Sequence, residues 1–389
     1  MEPAQPQTLT LPAKWEQQLA CVVVRNSLAI QADEIVLIRG PLIAQSFVLA
    51  LAQELIDVGA HPLTAIEHPL LIYKLYAQGN EKQITWTSPL RTAEAAHIHA
   101  EITIYAPTLP QDMLMKLPPS RRVFMERKGL GEGAMRLRAE RTQSLQYRTL
   151  YVLYPTPEFA SMLQISLAEL TLLIQQGALL AGNEDPLLLW ERTRTEVESW
   201  QRWLQDRSEL RIQARGTDVH CSLKNRSFFS QSGQHLLPGS QLLTMPHVDS
   251  WQGYITFNTV SKLNGSQISY PRICLDGGRV TGLEAEQGAE MLRAMLQVDA
   301  GAGSIGEFGI GLNPQLSRLI GATPFDELVR GTVHLAFGKS YPGAGAINRS
   351  RIHLDLVIDM REGGTVAVDG VPILQDGLLR AQAQMPPIP

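Results

Sequence analysis

A change of periodicity near residue 185 constrains this chain more than any other feature. Before AGNEDP at 181–186, helical and strand patterns alternate. WEQQLACVVVRNSLAI reads as an amphipathic helix and EIVLIRG as a buried strand closed by glycine. AQSFVLALAQELIDVGA then reads as a helix stopped by glycine, and HPLTAIEH as the next strand. EITIYAP and RTLYVLYPT add strands, while GAMRLRAERTQSLQ and SLAELTLLIQQGALL add helices. Alternation of this kind predicts an α/β N-terminal domain with a parallel sheet over residues 1–185.

After AGNEDP the pattern is different. A long helix, LLLWERTRTEVESWQRWLQD, leads into short strands punctuated by turns: ELRIQARGTD, VHCSLKN, GYITFNTV, ICLDGGRV and TVAVDGVPIL. LEAEQGAEMLRAMLQ at 283–297 is the clearest helix of this half. Residues 186–389 are therefore expected to form an α+β C-terminal domain with largely antiparallel sheet, and the Glu, His and Asp residues it carries make it the expected metal-binding domain. A chain of 389 residues suits two such cores better than one. QMPPIP reads as a loose tail.

Composition removes several function classes. Apolar residues are 44% and charged residues 19%, with no apolar run long enough for a membrane span and no signal-peptide pattern, so a cytoplasmic protein without a membrane partner is expected. The sequons at Asn225, Asn264 and Asn348 would then stay unglycosylated. Three widely spaced cysteines, Cys21, Cys221 and Cys274, fit reduced thiols and no cysteine zinc site. A net charge of −4 offers no footprint for nucleic acid. The Arg-rich run 121–143 interleaves Arg and Glu as a solvated helix does, and GLGEGA at 129–134 has the wrong spacing for a nucleotide loop.

Chemistry concentrates near the C-terminus. RIHLDLVID alternates as a strand, so His353 and Asp355, two apart, leave the same face and can offer an imidazole and a carboxylate to one ion. GTVHLAFG is a second strand centred on His334. GEFGIG places Glu307 between glycines, where a lone buried carboxylate is costly unless paired, protonated or metal-bound. Taken singly, each histidine also reads as a satisfied core residue; together they point to a metal site. Such donors suit zinc, cobalt, manganese or ferrous iron.

The chain resembles the aminopeptidase T family of metallopeptidases over most of its length. VGAHP and YPTPEFASML carry the likeness in the first half. GTDVHCSL, LPGSQLLTMPHVDSWQGYITF, GEFGIGLNP, GTVHLAFG and IHLDLV carry it in the second. The resemblance implies a dinuclear centre of two Glu, two His and an Asp with a Tyr nearby, falling here on Glu307, His334, His353, Asp355 and Tyr341. It also implies aminopeptidase activity on short peptides, with a metal-activated water, and a homodimer. Glu307 would be a ligand or the general base, Asp355 a bridging ligand and Tyr341 an oxyanion donor.

One position departs: the first ligating Glu of the family is Gln241 here, a neutral and weaker metal ligand. With only one ion, the chain would instead resemble the ring-cleaving dihydroxypyridine dioxygenases. These use a single ferrous ion on positions matching Glu307, His353 and Asp355, and His247 could then act as acid or base over the ring. A binding protein that has lost its metal is the third class. One or two divalent ions per chain are thus expected, and the substrate is a short peptide or a small molecule.

Overall fold

The structure is a computed structural model, and it describes residues 11–86, 88–118, 121, 140–142, 144, 146–263, 266–340 and 348–380. Most of the Arg-rich run, GLGEGA, Asn264, Tyr341 and the Pro-rich tail lie outside the described residues. The chain divides into two compact units, Met1–Leu189 with Gly233–Leu237, and Trp190–Ser232 with Pro238–Pro389.

The first unit is built on a five-stranded parallel sheet, as the alternating pattern predicts. Its order is His61–Glu67, Ile35–Pro41, Ala100–Tyr105, Arg148–Leu153 and Leu236–Leu237. The last strand is unforeseen: it comes from the second half of the sequence, and two residues carry too little pattern to be seen. The N-terminal helix also differs from the regular one expected. Lys14–Cys21 is α-helical but passes into a π-helical segment, Val22–Ser27. Val22, Val23 and Val24 are all fully buried there. Three consecutive β-branched side chains crowd an α-helical turn, and the wider turn accommodates them.

The second unit is antiparallel, again as expected, with two large sheets and a two-stranded one, Val260–Leu263 with Ser266–Ser269. One has eight strands in the order Arg279–Glu284, Arg272–Asp276, Gln252–Thr256, Thr217–Ser222, Glu209–Ala214, Thr365–Val368, Val371–Gln375 and Leu378–Leu379. ICLDGGRV and TVAVDGVPIL, each read as one strand, are hairpins. Gly277 and Gly278 have φ of +54° and +71°, and Asp369 and Gly370 have φ of +49° and +77°, the left-handed pairs a two-residue hairpin loop requires. LEAEQGAEMLRAMLQ is likewise divided: Leu283 and Glu284 end a strand, and the helix is Ala289–Leu296.

The other large sheet positions the chemistry. Its order is His353–Asp359, Thr332–Gly338, Ile305–Gly311, Gln241–Thr244 and Phe228–Gln231. One face supplies Leu242, Phe308, Ile310, Val333, Leu335, Phe337, Leu354, Leu356 and Ile358 to a core shared with Leu210, Ile212, Val219, Ile255 and Ile273 of the eight-stranded sheet. Each such fully buried side chain contributes about 1.5–3 kcal/mol. The alternation that commits these residues to the core sends their strand neighbours to the opposite face. Among the described residues no single helix is long and apolar enough to cross a membrane.

Candidate metal centre

The polar face of the five-stranded sheet is assembled by register. Ala336 stands between Glu307 on one side and Asp355 on the other, and His334 stands between Gly309 and Val357. Gly338 pairs with His353. Glu307, His334, His353 and Asp355 therefore rise from three adjacent strands in two neighbouring rows and a third.

Glu307 reaches this face through a bulge. Ile305 packs into the core and Glu307, two residues later, does not, because the ladder slips between Ile305 and Glu307. One extra residue, Gly306, reverses which way the following side chains point. Gly309 clears the floor: a Cβ there would overlap the His334 imidazole, whose Cε1 and Nε2 are its nearest neighbours. The need is for space, since Gly309 is not in the left-handed region. Gly309→Ala is accordingly expected to displace His334 and weaken divalent-ion binding by about 10-fold or more, while the melting temperature of the metal-free protein changes little. Calorimetric titration with zinc or manganese, beside a thermal melt, checks this; unchanged affinity would refute the packing account.

A further acid joins from outside the sheet. Glu327 follows the short helix Thr323–Asp326 and is 9% exposed. Its position is held by Asp326, whose carboxylate accepts hydrogen bonds from the Ile320 and Gly321 amides at 2.8 Å each. Sequence inspection missed Glu327, which sits beside another acid in TPFDELV as surface acids often do; the available signal was an acid seven residues before His334.

Two groups of donors result. Glu307, His353 and Asp355 form one, and Glu327, His334 and Asp355 the other; within each, one donor atom per residue lies within 4.8 Å of the others. Asp355 belongs to both. His334 Nε2 is 3.6 Å from Glu307 Oε1, and His353 Nε2 is 3.3 Å from Asp355 Oδ1. The Nδ1–H of His353 donates to the Lys339 carbonyl at 2.7 Å, which aims Nε2 at Asp355 and leaves that nitrogen as the one able to give up its proton to a cation.

The electrostatics of the cluster are those of a site short of positive charge. Burial, reinforced by the Asp355 charge, pushes the Glu327 carboxyl up to about 8. Burial opposes charge on His334, yet Glu307, Glu327 and Asp355 together raise its pKa. His353 is raised well above the ordinary range because Asp355 outweighs burial, and Asp355 is correspondingly lowered by His353 against its own burial. His334 Nδ1 is buried and makes no hydrogen bond, and the buried Asp355 Oδ1 has only the ion pair with His353. A buried imidazole nitrogen left without a partner, beside a Glu327 carboxyl driven toward protonation, fits a place for divalent cations.

Two other predicted residues stand apart. Gln241 pairs with Gly311 and Gln231 on the same sheet, and its Nε2 donates to Gln231 Oε1 at 2.9 Å. His247 belongs to neither donor group: one ring nitrogen lies 2.8 Å from the Lys224 carbonyl oxygen and the other 3.3 Å from Arg226 Nη2, so its ring holds the 224–226 turn.

Fold and chemistry now meet the comparisons with known proteins. The profile of the thermophilic metalloproteases (M29) matches residues 14–378. Aminopeptidase 2 of Geobacillus stearothermophilus is 25% identical, covering 92% of this chain and 95% of that protein. Aminopeptidase T of Thermus aquaticus is 26% identical over 50% of this chain and 52% of its own length. The solved structure of AmpT from Thermus thermophilus superposes with a TM-score of 0.78 at 21% identity, covering 94% of this chain and 99% of that one, a likeness of fold. The class these findings define is a metallopeptidase. The chain belongs to the thermophilic metalloprotease family M29. Nothing in them supports the ring-cleaving dioxygenase alternative.

Proposed function

We propose that this protein is a metal-dependent aminopeptidase that removes N-terminal residues from short peptides, using two divalent ions per chain. Glu307, His353 and Asp355 hold one ion and Glu327, His334 and Asp355 the other. The observation that carries this reading is the membership of Asp355 in both donor groups, since a shared carboxylate is what keeps two dications close. When bound, such ions supply a water acidified to near-neutral pKa and polarise the scissile carbonyl.

The protein's own groups do the rest. The Lys339 carbonyl fixes the tautomer of His353, and Gly309 leaves His334 room to lie flat on the sheet. Glu307, buried and beside His334, is placed to accept the proton lost by the nucleophile. Oxygen and imidazole donors in this ratio suit zinc, cobalt or manganese.

The direct test is metal content with activity. The purified protein is expected to hold close to two of these ions per chain and to hydrolyse aminoacyl p-nitroanilides. A chelator should abolish the activity, and added cobalt, zinc or manganese should restore it. A protein that carries one iron per chain and consumes oxygen with a hydroxylated ring would overturn the proposal.

Gln241, on the same face of the sheet as His334, is read as a neutral oxygen donor supplementing the Glu327, His334 and Asp355 group. Replacing it by the acid, Gln241→Glu, is expected to tighten binding of the weaker ion by about 10-fold, because a carboxylate holds a dication more firmly than an amide does. Competition with a chelating dye reads this; a weaker second ion in the variant would place Gln241 away from the metals.

A further inference from the structure

Beyond the two donor groups, the polar face of the sheet carries one more buried feature without an account. Gln231 and Gln241 stand directly opposite each other on adjacent strands, 8% and 6% exposed. Gln241 Nε2 gives its hydrogen to Gln231 Oε1 at 2.9 Å. Gln241 Oε1 is buried and accepts nothing. A buried amide oxygen without a donor is unfavourable, and native proteins seldom keep one unless something else fills the place.

Register says which face of the sheet Gln241 occupies. Gln241 shares its strand face with Leu243, and Leu243 Cδ2 borders the same space above Gly309 that the His334 ring occupies. Gln241 itself is paired with Gly311, where an added Cβ would meet the backbone oxygen of Glu327. Gln241 thus lies on the same face of the sheet as His334, in the row of Gly311, beside the Glu327–Val329 backbone. The preceding residue, Ser240, is held with φ at +92°, its carbonyl accepting from the Leu312 amide at 3.0 Å, so the entry to this strand is set by its surroundings rather than by its own preference.

We infer that Gln231 is a positioning residue: by engaging the nitrogen of Gln241 it leaves the Gln241 oxygen turned to the Glu327, His334 and Asp355 group, as a neutral oxygen donor to the ion held there. This rests on the two-ion proposal. The role belongs to Gln231 because an amide rotated by half a turn would present N–H groups to a cation and repel it. A residue that only accepts can perform the task equally well.

The experiment is a calorimetric titration of manganese into the chelator-treated full-length protein, with a thermal melt of each variant. Wild type is expected to take up two ions. Gln231→Leu should weaken the second by about 10-fold and leave the first unchanged, the size of effect seen when groups supporting a ligand are removed. Gln231→Glu, an acceptor of the same length, should stay within about three-fold of wild type. In a Gln241→Leu background, Gln231→Leu should have no further effect. Gln231→Met replaces the Leu variant if that one does not fold.

Unchanged second-ion affinity in Gln231→Leu overturns the inference, as does an equal loss in the Gln241→Leu background, which would mark a purely structural role. A wild type that takes up a single ion overturns the two-ion proposal and this inference with it.

Discussion

Asp355→Ala is expected to give a folded protein that binds neither ion and hydrolyses peptides at least on the order of 1,000-fold more slowly, about 4 kcal/mol of lost transition-state stabilisation. The size follows from Asp355 being common to both donor groups: its loss reduces each to an imidazole and a glutamate. Folding is expected to survive, because Leu354 and Leu356, which face the core on either side of it, are untouched. Circular dichroism and a melt establish the fold, metal analysis the loss of ions, and p-nitroanilide hydrolysis the rate. Retention of two ions or of full activity would remove Asp355 from the centre.

Glu327→Gln is expected to have the second largest effect and to separate the two ions. The Glu307, His353 and Asp355 group keeps its donors, so one ion remains, while the other is lost and the rate falls on the order of 100-fold. Its consequence for stability runs the other way. In the metal-free protein the folded-state pKa of Glu327 lies at about 8, above the ordinary carboxyl value. The folded state therefore binds a proton that the unfolded state has released, and wild-type stability falls as pH rises from the ordinary carboxyl range through about 8. The amide side chain of the variant does not titrate and carries no such dependence. Chelator-treated variant and wild type should accordingly differ more in melting temperature at pH 8 than at pH 5.5, with the variant gaining. A variant that loses ground to wild type as pH rises would show that Glu327 is stabilised in its charged form.

Much of this molecule is legible in its residues. EIVLIRG, EITIYAP and RTLYVLYPT, set between helical segments, mark parallel strands: both faces of such a sheet are covered, so their apolar residues run nearly unbroken. The His353, Asp355 spacing places both side chains on one face of a strand, and the structure brings them to 3.3 Å. Hairpin turns are harder to see. In ICLDGGRV the two glycines break a run that otherwise reads as a single strand, and only their left-handed φ values show the reversal.

What the sequence by itself determined is therefore local: two kinds of grammar on either side of residue 185, the strands that carry His334, His353 and Asp355, and donor types that bind hard or borderline cations. Periodicity reports which way a side chain leaves its own strand, and nothing more distant. Only the tertiary structure decided which strands lie side by side, and with that the membership of the site. It brought Glu327 in from a turn, set Gly306 as the bulge that aims Glu307, kept His247 at a separate turn, and placed Gln231 opposite Gln241. These are non-local pairings, chosen by the burial of the opposite face of the sheet, and no single segment contains the information that selects them.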